Sequence, residues 1–253
     1  MGTETRPLEG DWALILGASS GFVGATALEL ASLGMHIFGV HLDRKGTLPN
    51  VERIIEQIRA AGREAVFFNA NAADAEKRQE ILNEIETRLK ATGRPSMVRV
   101  LLHSLAFGTL KPFITKSPAD AIAKSHLDMT LDVMANSLVY WVQDLVARQL
   151  MGRGGRIFAM TSAGGARVWP TYGAVSTAKA ALESHIRQLT LELAPHGITA
   201  NAIMAGVTDT PALRKIPGNE QMMEFAKLRN PYHRLTTTKD VAQAIAILAN
   251  SGA

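Results

Sequence analysis

Short apolar runs alternate along the chain with longer stretches in which apolar residues recur every three or four positions. The runs "WALILGAS", "HIFGVHL", "EAVFFNAN", "VRVLLHSL", "GRIFAMTS" and "ITANAIMAG" carry almost no polar alternation, the signature of strands covered on both faces. Between them, "GATALELASLG", "NVERIIEQIRAAG" and "EKRQEILNEIETRLK" have helical periodicity, and two of the three end near a glycine suited to a helix terminus. Strand, helix, strand, repeated without long polar linkers, predicts an α/β doubly wound parallel sheet of six or seven strands. Repeats and low-complexity segments are absent. At 253 residues and 47% hydrophobic content the chain can bury one large core, so a single domain over 1–253 is expected.

Composition narrows the classes of function. No stretch approaches 18 uninterrupted apolar residues, and "MGTETRPLEGD" lacks the basic start and apolar run of a signal peptide. Arg6 stands where an N-myristoylation motif wants Ser or Thr. A soluble, cytoplasmic protein without membrane contact is expected. Zero cysteines exclude disulfides and thiolate zinc sites, and the seven histidines show no metal-binding spacing, so no metal is expected. The net charge of +4 is scattered, without a Lys/Arg run interleaved with aromatics, which argues against nucleic acid. A small acidic substrate or acidic partner stays open.

In such sheets, sites lie outside the carboxyl ends of the strands. The first strand runs into "LGASSGFVGATALEL", placing Gly17, Gly21 and Gly24 at a strand-to-helix turn. Glycines there admit a pyrophosphate close to the backbone, and the helix terminus offers unpaired N–H groups; a plain tight turn is the bland alternative. "GASSG" also satisfies GxSxG, which would make Ser19 a hydrolase nucleophile. Against that stand its place after the first strand and the lack of a convincing Asp then His downstream. The second strand closes in "GVHLDRK": His41 stands where an acidic residue would select NAD. Arg44, Lys45 and Ser20 offer donors and charge for a 2′-phosphate, although Asp43 could turn inward and a solvated basic loop is the alternative.

"TYGAVSTAK" sets Tyr172 seven residues before Lys179. Positions seven apart on a helix lie almost two turns along one face, so both side chains address one cleft. Tyr140 sits in an apolar helix and Tyr232 in a loop beyond a proline, which makes them weaker candidates.

With "GASSGFVG", "HSLAFG", Asn136 in "VMANSL", Ser162 in "AMTSAGG" and "NAIMAGVTDT", the chain resembles the short-chain dehydrogenase/reductase family over nearly its whole length. Most members carry the tyrosine four residues before the lysine, where this chain has Val175. A spacing of seven resembles the enoyl-acyl-carrier-protein reductase branch, as does "HSLAF", and the stretch from Asp209 to Leu235 looks most like its NADPH-using third type. The resemblance implies a Rossmann-type fold, reduction of a C2–C3 double bond with NADPH, and acyl carrier protein as the partner bearing the substrate. Carbonyl, 3-oxoacyl or hydroxysteroid reduction, and a non-catalytic NADP sensor, are the rivals.

It further implies that Tyr172 stabilises the enolate, that Lys179 holds the nicotinamide ribose, and that Ser162 orients substrate or tyrosine. Asn136 acts near Lys179 or serves as a plain helix residue. Around the cofactor it assigns Gly17, Ser19, Ser20, Gly21, Phe22, Val23, His41, Arg44, Lys45, Asn71, Ala72, Ser104, Ala106, Gly206, Thr208 and Thr210, with Val23 where the third family glycine would fall. A lid over 211–235 carries Arg214, Lys215, Lys227, Arg229 and Arg234 beside Met222, Met223 and Phe225; an ordinary amphipathic surface helix is the alternative. The family continues past "AILANSGA" into a last strand, so the seventh strand and the subunit contact of a dimer or tetramer are the open part of the expectation.

Overall fold

The computed structural model describes residues 8–93 and 96–251, so the N-terminal targeting motifs and the last two residues lie outside it. Six strands form one parallel sheet in the order β3-β2-β1-β4-β5-β6. They are β1 Trp12–Leu16, β2 His36–His41, β3 Ala65–Asn69, β4 Val98–His103, β5 Arg156–Met160 and β6 Thr199–Ile203. Each coincides with one of the apolar runs. β1 and β5 are buried at every position, which is why their sequences show no alternation.

Helices cover both faces. On one side α1 (Gly21–Ser32), α2 (Leu48–Ala60) and α8 (Thr238–Asn250) pack Val23, Ala27, Ile54, Ile58, Val241 and Ile245 against Ile15, Ile37 and Phe158. On the other, α3 (Ala75–Ala91), α5 (Ser137–Ala147) and α6 (Gly173–Leu193) pack Ile81, Ile85, Leu138, Trp141, Leu182 and Ile186 against Leu14, Leu101 and Ile157. This three-layer, single-domain α/β architecture is the one the sequence pattern predicts.

The strand order reverses between β1 and β4. The crevice outside their carboxyl ends is therefore the place for a ligand. Two features there go beyond the sequence pattern. The helix leading into α5 begins as α4 (Lys124–Leu131) and passes through a π-helical segment, Asp132–Asn136, before α5 continues it. Such segments concentrate at functional sites. The second is the stretch after β6, with α7 (Asn219–Arg229), which holds no buried residue from Pro211 to Asp240.

Candidate active site

The glycine turn is shaped by close approach. Gly17 has φ +94°, and a Cβ there would lie 2.5 Å from the Ser104 carbonyl oxygen, so only glycine lets the turn after β1 pass the end of β4. Gly21 (φ +61°) opens α1, while Gly24 lets that helix approach α2, since a Cβ on it would lie 3.0 Å from Ile54 Cδ1. Val23 is 4% exposed and belongs to the core, so only its backbone faces the turn. Ser20, at the helix N-cap, makes no capping bond, and no acidic residue stands in the first turn. Free N–H groups at the helix terminus and an uncapped Ser20 hydroxyl suit a pyrophosphate, while the one carboxylate that reaches this turn among the described residues, Asp43, engages Ser19. Thr210 reaches this turn from the loop after β6, its Cγ2 3.6 Å from a Cβ on Gly21.

The loop after β2 settles how Asp43 is used within the protein. His41 is buried, and its Nδ1 lies 3.0 Å from Asp43 Oδ2. Burial pushes the Asp43 carboxyl up, but Thr47, Ser19 and His41 close around it outweigh that and hold it below its usual range. The His41 imidazole is pushed down by its own burial, with Asp43 opposing. Asn69 exchanges two 3.0 Å bonds with the Asp43 backbone, and Asn50 donates to the Ser19 carbonyl, so the loop is pinned to β3 and to the glycine turn. Arg44 and Lys45 stay exposed, without an ion pair among the described residues.

Further along the crevice, Asn71 is exposed and accepts from its own Ala73 N–H at 3.1 Å. Ala72 is buried, its carbonyl taken by the Trp141 indole at 2.8 Å. Ala106 is exposed, as is Gly206, whose carbonyl accepts from the buried Thr208 hydroxyl at 3.0 Å.

Tyr172 and Ser162 meet at one glycine. A Cβ on Gly164 would collide with Tyr172 Cε1 and lie 3.3 Å from Ser162 Oγ, so ring and hydroxyl flank the same backbone. Ser162 Oγ accepts from Gly164 N–H at 3.1 Å. A Cβ on the neighbouring Gly165 would lie 3.5 Å from Lys179 Cβ. One short turn therefore touches all three residues. Phe113 lies over Gly173, at the start of α6.

Lys179 falls on the buried stripe of α6, 6% exposed, and donates to the Met160 carbonyl at 2.6 Å. Burial holds its pKa down at about 8 against an ordinary 10.5, with Glu183 pulling upward. Glu183 itself accepts from the Thr161 hydroxyl at 2.6 Å. Val175, one turn before Lys179, is 6% exposed in an apolar cluster with Val133, Met134 and Ala178, on which Leu105, Leu110, Met129 and Tyr172 also pack.

Asn136 bonds His185 Nε2 through its Oδ1 at 3.0 Å, while the Lys179 ammonium bonds Met160. It ends the π-helical segment, which gives it a positioning place instead of a direct bond to the lysine. His103, missed in the sequence, is fully buried at the end of β4. Its Nε2 lies 2.8 Å from Ser137 Oγ, and Ser137 donates to the Val133 carbonyl at 2.8 Å, so the imidazole Nε2 donates. Nδ1 has no partner among the described residues. Burial first, then the charge of Lys179, push its pKa down to about 3, so it is neutral. The "HSLAFG" motif carried this signal, but a histidine in an apolar run does not announce which groups will surround it.

In the stretch after β6, Arg214 pairs with Asp209 at 2.7 Å, Lys227 with Glu224 at 3.0 Å and Arg234 with Asp240 at 2.6 Å. Lys215 and Arg229 are exposed and make no such pair among the described residues. Phe225 and Leu228 are 66% and 72% exposed. No group of three His, Cys, Asp or Glu residues able to hold a metal occurs among the described residues, and no helix there is long and apolar enough to cross a membrane.

A parallel sheet with a glycine turn at its switch point and a Ser, Tyr, Lys group beyond β5 defines a dinucleotide-dependent oxidoreductase of the short-chain type. The enoyl-(acyl carrier protein) reductase family model matches residues 17–253, and the chain belongs to that family of short-chain dehydrogenases/reductases. It is 28% identical over 249 residues to 1-cyclohexenylcarbonyl-CoA reductase of Streptomyces collinus, covering 95% of this chain and 81% of that one. Over 249 residues it is 29% identical to 3-oxoacyl-[acyl-carrier-protein] reductase of Pseudomonas aeruginosa, covering 97% and 92%. The crystal structure of the NADH enoyl-[acyl-carrier-protein] reductase of Aquifex aeolicus superposes with a TM-score of 0.77 at 26% identity, covering 96% of this chain and 90% of that one.

Proposed function

We propose that this oxidoreductase reduces the C2–C3 double bond of a trans-2-enoyl thioester, with NADPH as cofactor and acyl carrier protein as the carrier. The observation that carries the reading is Val175. One helical turn before Lys179, where a hydroxyl would protonate a reduced ketone, an apolar side chain sits in an apolar cluster, and Tyr172 lies one turn further out. A reduced nicotinamide, when bound, supplies the hydride to C3. Charge would then develop on the thioester oxygen, two carbons from the point of attack, and the Tyr172 hydroxyl would be the donor that meets it. A preorganised donor of this kind is worth about 3 kcal/mol. Ser162, on the same glycine as the Tyr172 ring, orients the tyrosine or the thioester. Lys179, whose buried ammonium donates to Met160, would hold the nicotinamide ribose, and Asn136 holds the helix end through His185.

NADPH is supported by how the charges after β2 are distributed. Asp43 is satisfied within the protein, whereas Arg44 and Lys45 remain free for a 2′-phosphate. The reading takes 1–253 as one catalytic domain, with 211–235 as substrate lid, in a cytoplasmic dimer or tetramer.

The test is the reaction. Purified protein with NADPH should oxidise it in the presence of a trans-2-enoyl thioester, with the saturated product confirmed by mass, and should leave a 3-oxoacyl thioester and a steroid ketone untouched. Replacing Arg44 and Lys45 with alanine should raise KM for NADPH far more than for NADH. Preference for the 3-oxo substrate would transfer the protein to the activity named for its Pseudomonas relative.

A further inference from the structure

The stretch from Pro211 to Asp240 has no buried residue, yet it reaches the turn that leads into Tyr172. Its ion pairs are local: Arg214 to Asp209, Lys227 to Glu224, Arg234 to Asp240. Among the described residues, the hydrogen bond that joins it to a distant part of the chain runs from the Trp169 indole Nε1 to the Pro217 carbonyl, at 2.9 Å. The next residue, Gly218, has φ +77°, and a Cβ there would lie 3.2 Å from Trp169 Cζ2, so the indole rests against its backbone. Trp169 also begins the turn that sets Tyr172. The Tyr172 N–H donates to the Trp169 carbonyl at 3.1 Å, with Pro170 and Thr171 between them.

That turn is strained. Thr171 has φ +64°, in the third position of a proline-led turn where glycine is the ordinary choice, and its hydroxyl is buried without a partner among the described residues. A β-branched residue in left-handed backbone persists only where its surroundings hold it. The ends of this turn are held by Gly164 under the Tyr172 ring and by the lid at Trp169.

We propose that Trp169 is a positioning residue that latches the stretch after β6 to the turn carrying Tyr172, so that lid closure and placement of the tyrosine hydroxyl are one event. Released from Pro217, Trp169 frees the strained turn, and Tyr172 loses the orientation its hydroxyl needs. What Tyr172 does once placed rests on the enoyl-reductase reading; the latch does not.

Two measurements test this. In kinetics, Trp169→Phe keeps an aromatic side chain but removes the N–H, and should lower kcat on the order of tenfold, the scale of one hydrogen bond felt wholly in the transition state, with NADPH affinity unchanged. In a Tyr172→Phe background the same substitution should cost nothing further, because it acts through the tyrosine. An unchanged kcat, or an equal additional loss in that background, overturns the proposal. The second measurement needs no turnover. Protein labelled with 5-fluorotryptophan gives one fluorine resonance for each of its three tryptophans, with Trp169 assigned by its loss in Trp169→Phe. Gly218→Ala should move the Trp169 resonance, and so should Tyr172→Phe or Thr171→Gly at the other end of the latch. A Trp169 line indifferent to both ends overturns the latch. If the wild-type protein fails to reduce an enoyl thioester, the function proposed above falls, while the fluorine spectrum still decides the latch.

Discussion

Lys179 carries two pH dependences of opposite sign. Its pKa in the folded chain is about 8, against 10.5 when exposed, because burial disfavours the ammonium. Between those values the unfolded chain holds a proton that the folded chain has released, so stability attributable to this residue rises with pH across that window. Below it, the folded protein bears the full cost of a buried charge, roughly 3 kcal/mol for a shift of this size. Binding of an anionic dinucleotide that relies on the ammonium weakens over the same window. Titrating wild type against Lys179→Met should therefore show the melting-temperature difference closing above pH 8 while the NADPH affinity difference also closes. His103 works in the other range. Neutral down to about pH 3 against an ordinary 6.5, it costs stability as pH falls through that interval, since unfolding then takes up a proton. His103→Leu should make acid unfolding between pH 6.5 and 3 shallower, read by circular dichroism.

Among the elements, the strands are legible in the sequence because burial on both faces writes itself as unbroken apolar runs. α6 is equally plain, with Lys179 the one charged residue on its apolar stripe. The π-helical segment is not legible, because its cause is tertiary: Ser137 donates to Val133 while receiving His103, and Asn136 is drawn to His185. Nothing local in "DVMANS" announces partners from β4 and α6. The turn before α6 is a similar case. "WPTY" reads as a proline-led turn, but Thr171 contradicts the glycine such a turn wants, and only the surrounding contacts explain its survival. Thr171→Gly removes about 1–2 kcal/mol of backbone strain and an unpartnered buried hydroxyl, against an entropic loss of about 0.5–1 kcal/mol. A net gain near 1 kcal/mol is expected by urea titration, with a lower kcat where the stiffness of the turn serves Tyr172.

For the whole molecule, motifs anchored by glycine or by a strand end are readable, whereas charge partners are not. Five basic residues between Arg214 and Arg234 look equivalent in the sequence. Folding divides them, since three are paired locally and, among the described residues, only Lys215 and Arg229 of the five face outward uncommitted. An acidic carrier should feel those two. Lys215→Glu with Arg229→Glu should slow a carrier-bound substrate in a salt-dependent manner and spare a small thioester, because steering acts on the rate of encounter. Reversing Arg214 instead would break its pair with Asp209 and confuse docking with local disruption.

The long stretch from Pro211 to Asp240, without a residue in the core, has a consequence for how the protein is dismantled. Its opening costs almost none of the free energy that holds the sheet, so it belongs to the fast-exchanging, protease-accessible part of the molecule. Trypsin should enter at Lys215 or Arg229 long before it reaches the helices packed on β1 and β5. The nicked chain would keep its cooperative melting transition, with its glycine turn intact and its indole anchor cut loose. Proteolytic half-life and heat stability would then report on different parts of one domain.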